Sequence, residues 1–401
     1  MALPASVPRV LVAAPDHWSR ELLGQLVESV RCDAQIEYCQ DGQQAVAACR
    51  QQRFALILAE QELAGFSGLD LLRAVRQMRR NEGLLPFILI SARADAASVR
   101  EAIPLAPTAY LAKPFNAENL LQRLRGLLLQ EGQAVSCALP EHQAGLTLEG
   151  FLERERDETE GAPLLASVAQ LVTRCLHAEA CDLGEIEREF VRDPQITARL
   201  IAAANSAARH AGAPCQTLGQ ALARLGIGQC MNLVLGLSLQ RAAQLRHPLL
   251  TERATEFWNL SQTTADLAHA LAESMHLDVA RCYTAGLLHC LGDLALLRSL
   301  QDWADGGGAL SEEDVPRMLR EFGASFGSTL RARWRLPLEL RELIAAAYAL
   351  GSGVYSREAL VLHLAAQAAR MPVERRGELA ELRAARMLRV EPRQLELLKA
   401  G

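Results

Sequence analysis

The chain has 401 residues, half of them apolar, which is long enough for two domains that each bury a core. Aromatic residues make up only 4% of it, and this favours helical architecture over β-sandwiches and barrels. The formal net charge is −5 and the basic residues form no block, so we expect no nucleic-acid partner. No apolar stretch approaches twenty residues and no signal segment stands out, so we expect a cytoplasmic protein without membrane insertion.

The ten cysteines are scattered along the sequence without a C-x-x-C pair. The closest two, Cys175 and Cys181, have no neighbouring histidine that suggests zinc binding. We therefore expect small buried side chains rather than a metal centre or a disulfide framework.

Short apolar runs alternate with helical periodicity over the first 130 residues. This alternation predicts an α/β doubly wound domain with a five-stranded parallel sheet, whose loops gather at the carboxyl ends of the strands. The predicted strands are Arg9–Ala13, Ala34–Cys39, Phe54–Ala59, Leu85–Ile90 and Ala109–Ala112, and the predicted helices are Trp18–Val30, Leu69–Arg80 and Ala117–Leu128.

Polar residues follow these strands in an order that resembles a response-regulator receiver domain, of the flavodoxin or CheY-like fold, over residues 8–129. Asp16 follows the first strand, Glu60 the third and Ser91 the fourth, and Lys113-Pro114-Phe115 follows the fifth. The resemblance implies that Ser91 and Tyr110 are the switch hydroxyl and switch aromatic residues. It also implies that Lys113 is the lysine that contacts phosphoryl oxygens.

The positions that perform the receiver's chemistry depart from the family. Glu60 stands at the aspartate nucleophile, and its extra methylene moves the carboxylate by about 1 Å, a misplacement that can cost about 100-fold in rate. Ala14 and Pro15 replace the acidic pair that holds Mg²⁺, which leaves Asp16 alone. We therefore expect a pseudo-receiver that is not phosphorylated.

Two interpretations of Glu60 remain open. The longer carboxylate can reach Lys113 as a phosphoaspartate would and hold the domain in an active-like state. Alternatively, Glu60 is a tolerated residue in a domain now used for dimerisation. By resemblance, receivers dimerise through the face formed here by residues 95–128, so we expect a homodimer.

Helical periodicity fades over residues 130–162, which we interpret as a linker with one short helix from Leu146 to Arg156. Every later segment has helical spacing, and a tail over 373–401 is expected to pack on the preceding helices. The predicted helices are Leu164–Leu176, Leu183–Val191, Gln195–Ala208, Leu218–Leu225, Gly228–Ala242, Glu252–Met275, Asp278–Leu288, Leu291–Leu297, Glu313–Phe322, Gly327–Arg333, Leu338–Leu350 and Arg357–Arg370.

The most specific pattern lies at the start of this helical region. Asp193 can cap a helix whose first position is Pro194, where the missing N–H costs nothing. The helix carries Arg199 and Asn205, and a Leu-Gly-Ile-Gly turn containing Gly226 follows some twenty residues later.

This pattern resembles the HD-related output domain (HDOD) family over residues 163–372. The family comprises all-α bacterial signalling modules that resemble metal-dependent HD phosphohydrolases and commonly lack their metal site. In HD hydrolases a histidine, a His-Asp pair and a later aspartate bind the metal. Here those positions fall on Leu260, His289, Cys290 and Ala366, and further family histidines fall on Gly323, Ala347 and Tyr348.

A lone histidine cannot hold a catalytic divalent cation, so we expect no metal and no cofactor. Cys290 and Asp293 could join His289 in a residual site, although a fourth ligand is missing. Otherwise, His289 is a packed structural residue.

Three functions follow from these observations. The first is a non-enzymatic signalling adaptor in which the pseudo-receiver regulates an HDOD module that binds a protein partner. The second is a sensor that binds a cyclic dinucleotide such as cyclic di-GMP without turnover, with buried basic residues among Arg192, Arg199, Arg224, Arg241 and Arg281. The third, a phosphohydrolase, is disfavoured by the substituted metal positions.

Overall fold

The computed structural model describes residues 7–78, 83–93, 95–113, 115, 117–129, 145–158, 161–162, 188–205, 213–226, 229–231, 233–234, 237, 245–350, 355–394 and 398. The chain divides into two compact units. Among the described residues, no helix combines the length and the apolar character needed to cross a bilayer.

The first unit contains a five-stranded sheet in the order β2-β1-β3-β4-β5, with every pair parallel. The predicted doubly wound α/β fold is thus confirmed. Its strands are β1 (Arg9–Ala13), β2 (Gln35–Cys39), β3 (Leu56–Glu60), β4 (Phe87–Ser91) and β5 (Ala109–Ala112).

Five helices and a short 3₁₀ turn, Ile103–Leu105, connect these strands. Two of the helices, α2 and α4, were not predicted, because their sequences carry few large apolar residues. The helices are α1 (His17–Val30), α2 (Gly42–Gln51), α3 (Gly68–Met78), α4 (Ala96–Ala102) and α5 (Ala117–Leu128).

The core of this unit lies where the central strands face α2 and α3. Leu11, Ile57 and Leu89 from three adjacent strands are fully buried there with Leu72 of α3. Gly68 opens α3 where its backbone approaches the Glu60 carbonyl so closely that a Cβ would clash. This approach fixes the start of α3 beside the end of β3.

The described residues of the second unit form α- and 3₁₀-helices and no strand, in agreement with the predicted all-α domain. These helices are α6 (Leu148–Glu158), α7 (Pro194–Ala204), α8 (Leu218–Leu225), α9 (Pro248–Ser274), α10 (Val279–Leu288), α11 (Leu291–Asp305), α12 (Asp314–Arg333), α13 (Leu338–Tyr348), α14 (Arg357–Arg370), a 3₁₀ segment (Val373–Glu381) and α15 (Arg383–Leu388).

Several helix bounds differ from the prediction. The segments predicted as separate helices before and after Gly327 form the continuous helix α12, because Gly323 and Gly327 lie inside the helix instead of ending it. Helix α11 extends to Asp305, well beyond the predicted end at Leu297. The predicted helix 164–176 lies outside the described residues, as do most of 183–191 and most of 228–242.

Helix α6 lies within the segment interpreted as a linker, but it packs against α11 and α12. Leu152 is fully buried, the Phe151 and Trp303 rings are 5.4 Å apart, and Arg317 pairs with Glu149 at 2.5 Å. This part of the segment therefore belongs to the helical unit. In the tail, the 3₁₀ segment and α15 pack against α14.

Most cysteines of the described residues are free, including the buried Cys39, Cys230, Cys282 and Cys290. Cys32 is disulfide-bonded and half-buried, so the expectation of a small buried side chain is wrong at this position. Cys175 and Cys181 lie outside the described residues.

Candidate functional site

The loop after β1 ends in a helix cap and carries a positive charge. Asp16 caps α1 by accepting hydrogen bonds from the Ser19 backbone N–H at 3.2 Å and the Ser19 hydroxyl at 3.3 Å. Arg20, one turn into α1, donates from Nη1 to the carbonyls of Ala14 at 2.5 Å and Pro15 at 3.0 Å. The Arg20 guanidinium is thus held against the backbone of Ala14 and Pro15.

The Arg20 charge lies within electrostatic range of the receiver's carboxylates. Burial lowers the pKa of Arg20, whereas Asp16, Cys39 and Glu60 act in the opposite direction. Sequence reasoning missed Arg20, although its spacing of four residues from Asp16 on a predicted helix was a usable signal.

Glu60 and Lys113 are brought together at the carboxyl ends of β3 and β5. The Lys113 Nζ lies 2.5 Å from the Glu60 Oε1, and the Glu60 side chain is only 4% exposed. The Lys113 backbone N–H also donates to the Ser91 carbonyl at 2.7 Å, which anchors the lysine beside β4. The longer carboxylate therefore reaches the lysine directly. Pro114 lies outside the described residues.

Ser91 makes its contact with a second glutamate, Glu62, which sequence reasoning missed. The fully buried Ser91 hydroxyl donates to the Glu62 Oε1 at 2.8 Å, and the Ala92 backbone N–H donates to the same oxygen at 3.0 Å. The Arg93 N–H in turn donates to the Ser91 hydroxyl at 3.0 Å. One carboxylate thus organises the loop after β4.

Tyr110 on β5 is half-buried against the core and points its hydroxyl at the same loop. That hydroxyl donates to the Arg93 carbonyl at 2.8 Å, while the side chain packs against the core of the sheet. The three residues that the receiver resemblance singled out, Ser91, Tyr110 and Lys113, are therefore all engaged within one connected network.

The HDOD motif residues occupy structural positions at the start of the second unit. Asp193 is fully buried and caps α7 by accepting from the Ile196 N–H at 3.0 Å, and Pro194 is the first residue of this helix. The Arg199 guanidinium lies 5.1 Å from the centre of the Trp334 ring, a cation–π contact that satisfies a buried charge.

Asn205 and Gly226 shape the connections around α8. The Asn205 side-chain amide donates to the Cys215 carbonyl and accepts from the Cys215 N–H, both at 2.8 Å. These two hydrogen bonds resemble the paired bonds between two strands, and they hold residues 205 and 215 together. Gly226 has φ +76°, a left-handed conformation that favours glycine. Arg224 donates to the Ala213 carbonyl at 2.8 Å and so reinforces the same loop.

His289 and Cys290, at two of the positions where HD hydrolases bind metal, are buried and uncharged. The His289 Nδ1 lies 2.7 Å from the Gly286 carbonyl, and because that oxygen only accepts, Nδ1 carries the proton. The Nε2 then accepts from the Cys290 thiol at 3.2 Å. Burial lowers the pKa of His289 to about 3 and raises that of Cys290, so both groups are neutral at pH 7.

The other substituted metal positions are apolar. Leu260 is half-buried on α9 and Ala366 is fully buried on α14. Within the described ranges, no cluster of three or more His, Cys, Asp or Glu side chains could hold a metal ion. Of the residual site considered for His289, Cys290 and Asp293, the structure brings the first two side chains into contact.

Asp293 instead contacts Tyr348. The Tyr348 hydroxyl lies 3.2 Å from the Asp293 Oδ2 and also contacts the His289 carbonyl. Burial raises the pKa of Asp293 to about 6, while Tyr348, Arg370 and Arg331 act in the opposite direction. Asp293 is thus a titratable group at the edge of the HD-like site.

Most of the arginines proposed for dinucleotide binding have contacts elsewhere. Arg199 and Arg224 have the partners given above, and Arg192 donates to Gln262 at 3.1 Å. Arg241 lies outside the described residues. Arg281 borders a cavity of about 500 Å³ and lies 3.6 Å from each of three carboxylates, those of Asp278, Glu339 and Glu358. This acidic lining disfavours an anionic ligand in that cavity.

Comparison with known families agrees with both halves of this architecture. The response regulator receiver domain matches residues 10–125, and the HDOD domain matches residues 162–350. The chain consists of a receiver domain followed by an HDOD domain, which defines a response-regulator-like signal-transduction protein.

The chain is similar to parts of several curated bacterial proteins. It is 28% identical to sensor protein GacS of Pseudomonas syringae pv. syringae over 197 residues, covering 47% of this chain and 20% of GacS. It is 39% identical to the probable transcriptional regulatory protein TcrX of Mycobacterium tuberculosis over 93 residues, covering 23% of this chain and 38% of TcrX. The chain spans between 20% and 54% of the length of such relatives.

Solved structures similar to this chain include two bacterial response regulators. The MmoQ response regulator from Methylococcus capsulatus has 19% identity and a TM-score of 0.47, and the match covers 60% of this chain and 99% of that one. The chemotaxis response regulator CheY4 of Vibrio cholerae has 24% identity and a TM-score of 0.28, with 31% of this chain and all of that one covered.

Proposed function

We propose that this protein is a non-enzymatic signalling adaptor whose receiver domain holds itself in the arrangement that phosphorylation produces in its relatives. The observation that carries this proposal is the 2.5 Å ion pair between the Glu60 Oε1 and the Lys113 Nζ. In this account the Glu60 carboxylate takes the role of a phosphoryl oxygen toward Lys113. The HDOD domain transmits that fixed state to a protein partner.

The contacts of Ser91 support the same role for a second carboxylate. The receiver resemblance makes Ser91 the switch hydroxyl residue, and here the Ser91 hydroxyl and the Ala92 N–H both donate to the Glu62 Oε1. Glu60 and Glu62 together therefore supply the negative charge that a bound phosphoryl group would present. Both are permanent features of the chain, so the state needs no kinase.

Arg20 supports a receiver that works without a divalent cation. Its guanidinium donates to the carbonyls of Ala14 and Pro15, at the positions where the family's acidic pair would bind Mg²⁺. A fixed positive charge within range of Asp16 and Glu60 replaces the charge that a metal would bring. Phosphoryl transfer, which relies on that metal, is lost.

The HD-like site supports the absence of hydrolysis in the second domain. A catalytic metal needs ionised or basic ligands, whereas His289 and Cys290 are buried, neutral and bonded to each other. We place the protein in the cytoplasm, as a homodimer formed through the receiver face of residues 95–128. Ligand sensing is a second candidate function, and it is favoured by the arginines near Asp293.

The proposal is tested by treating the purified full chain with Mg²⁺ and acetyl phosphate and measuring its intact mass and its oligomeric state by light scattering. The wild-type chain should gain no phosphate and keep its oligomeric state. Glu60→Gln should shift the oligomeric state, whereas Glu28→Gln, at an exposed position on α1, should not. Phosphorylation of the wild-type chain, or identical behaviour of the two variants, contradicts the proposal.

A further inference from the structure

A cavity of about 500 Å³ in the helical unit is lined by residues of α10, α13 and α14. Its floor is apolar, because the buried side chains of Leu343, Ala346 and Ala359 line it. Ala345 and Ala349 also line it and are exposed, so the cavity opens to solvent along α13. Pockets that hold small ligands have volumes of about 300 to 1,000 Å³. The cavity is therefore large and accessible enough for a small organic ligand.

The charged side chains of this cavity are mainly acidic. Glu339 and Glu342 of α13 and Glu358 of α14 line it together with Arg281 of α10, which gives the lining a net charge of −2. Burial raises the pKa of the neighbouring Cys282 thiol to about 12, and Glu358 adds to that rise whereas Arg281 opposes it. A cavity lined mainly by one sign of charge concentrates ions of the opposite sign, so this one favours a cation.

Arg281 does not saturate the carboxylates around it. Its Nη1 lies 3.6 Å from the Glu339 Oε2 and its Nη2 lies 3.6 Å from the Glu358 Oε1, and both distances exceed that of a hydrogen bond. Its Nε lies equally far from the Asp278 Oδ2. Glu342 forms no ion pair with a basic side chain in the described part of the chain. Glu342 and Glu358 therefore keep oxygens that can accept hydrogen bonds from a ligand.

The lining also distinguishes between kinds of cation. A divalent metal ion needs several oxygen ligands around one point, and within the described residues no three Asp, Glu, His or Cys side chains are placed to hold one. A hydrated ion would also make no use of the apolar floor. A molecule with two ammonium groups joined by methylene groups matches both parts of the lining, because its methylenes can pack on the floor while its ammonium groups bind carboxylates.

We propose that this cavity binds a small aliphatic diamine, with Glu342 of α13 and Glu358 of α14 holding its ammonium groups and Leu343, Ala346 and Ala359 contacting its methylenes. The two charges of the diamine balance the net charge of the lining. The site goes beyond the adaptor function, because diamine binding depends neither on the state of the receiver nor on a protein partner.

The test is calorimetric titration of the full chain with putrescine, which carries two ammonium groups on a four-carbon chain. Three further probes each lack one of its features: butanediol has no charge, butylamine has one ammonium group, and Mg²⁺ has two charges but no methylenes. Putrescine should bind saturably and about tenfold more tightly than butylamine, since a charge-assisted hydrogen bond contributes on that scale. Butanediol and Mg²⁺ should not bind.

Matched variants separate this site from general charge effects. Glu342→Gln and Glu358→Gln should each weaken putrescine binding about tenfold, whereas Glu312→Gln, at an exposed position outside the cavity, should leave it unchanged. Ala345→Leu fills part of the cavity without changing its charge and should also weaken binding. Because Ala345 is exposed and leucine suits a helix, this variant should fold, and circular dichroism checks the fold of each variant.

Three results would overturn the proposal. The first is the absence of saturable putrescine binding, and the second is unchanged affinity in Glu342→Gln and Glu358→Gln. The third is equal binding of butylamine, which would assign the cavity to the lysine side chain of a protein partner instead.

Discussion

The receiver site and the HD-like site, which we propose to be inactive, differ in the groups that they contain. The receiver site is charged: Glu60 pairs with Lys113, and the Arg20 guanidinium donates to the Ala14 carbonyl. In the HD-like site, His289 and Cys290 form a buried neutral pair.

This difference indicates which geometry each domain retains. In the receiver, Lys113 and Ser91 each contact a carboxylate of the chain, and we propose that these two contacts keep the switch loop in one arrangement. The HD-like site keeps only packing and local hydrogen bonds around its centre. The charged groups of the HD-like site lie at its edge, where Arg331 and Arg370 are within electrostatic range of Asp293.

The largest expected effect comes from breaking the Glu60–Lys113 pair. Lys113→Met leaves a nearly buried carboxylate without its partner, which should lower the free energy of unfolding by about 3 kcal/mol. The double variant Lys113→Met/Glu60→Gln should recover most of that loss, because no unpaired charge remains. Urea unfolding measures both, and equal stability of the single and double variants would show that the pair is not coupled.

The second expected effect is a pH dependence from Asp293. Its pKa in the folded chain, about 6, lies above the ordinary value of 3.8, so folding favours the protonated carboxyl. That stability is present below pH 4 and is lost as the pH rises through 6. Asp293→Asn removes this loss, so its stability relative to the wild-type chain should rise by about 2 kcal/mol between pH 4 and 7.

Urea titrations across this pH range check the Asp293 prediction, with Asp314→Asn as the control. Hydrogen bonds from Ser311 and Arg317 lower the pKa of Asp314 to about 2, so its carboxyl is ionised throughout that range. The control variant should therefore show no comparable rise. A flat difference for Asp293→Asn would indicate that Asp293 is ionised at pH 4 in the folded chain.

A smaller effect is expected at Ser91. Ser91→Ala removes the hydroxyl that joins Glu62 to the Arg93 N–H, and this should cost about 1 kcal/mol. Ser29→Ala, at an exposed position of α1, serves as the matched control and should be nearly neutral. Thermal unfolding compares the two, and equal melting temperatures would remove Ser91 from the network.

The smallest effect is expected from metal removal. The neutral His289–Cys290 pair needs no cation, so EDTA should leave the melting temperature unchanged, and added Mn²⁺ or Zn²⁺ should not raise it. Differential scanning calorimetry of the full chain tests this. A fall of several degrees with EDTA would indicate a metal centre.

The fold of the receiver could be predicted because its central strands β1, β3 and β4 are almost wholly buried and are therefore continuous apolar runs. The strand Leu56–Glu60 is an example, since every residue in it is buried. Helix α2 could not be predicted, because Gly42–Gln51 contains small and polar residues whose helical state depends on packing against the sheet. Helix α2 therefore depends on its tertiary contacts more than on its own sequence.

The residues of the receiver site could be predicted only where the order of residues in the receiver family gives a position a known role. Glu60 and Lys113 follow that order, and their sequence positions suggested that they would meet. Glu62 and Arg20 lie on a loop and on a first helical turn, and neither has a role in the receiver pattern. Arg331 approaches Asp293 only through the packing of α11 against α12, which no local pattern encodes.

The most direct test of the central claim is hydrogen–deuterium exchange of the switch region, residues 91–112, in the wild-type chain and in the double variant Glu60→Gln/Glu62→Gln. If the two carboxylates hold the switch loop, the double variant should exchange faster at Ala92, Arg93 and the start of α4. Glu28→Gln should match the wild-type chain. Unchanged exchange in the double variant would contradict the account of a receiver held by its own carboxylates.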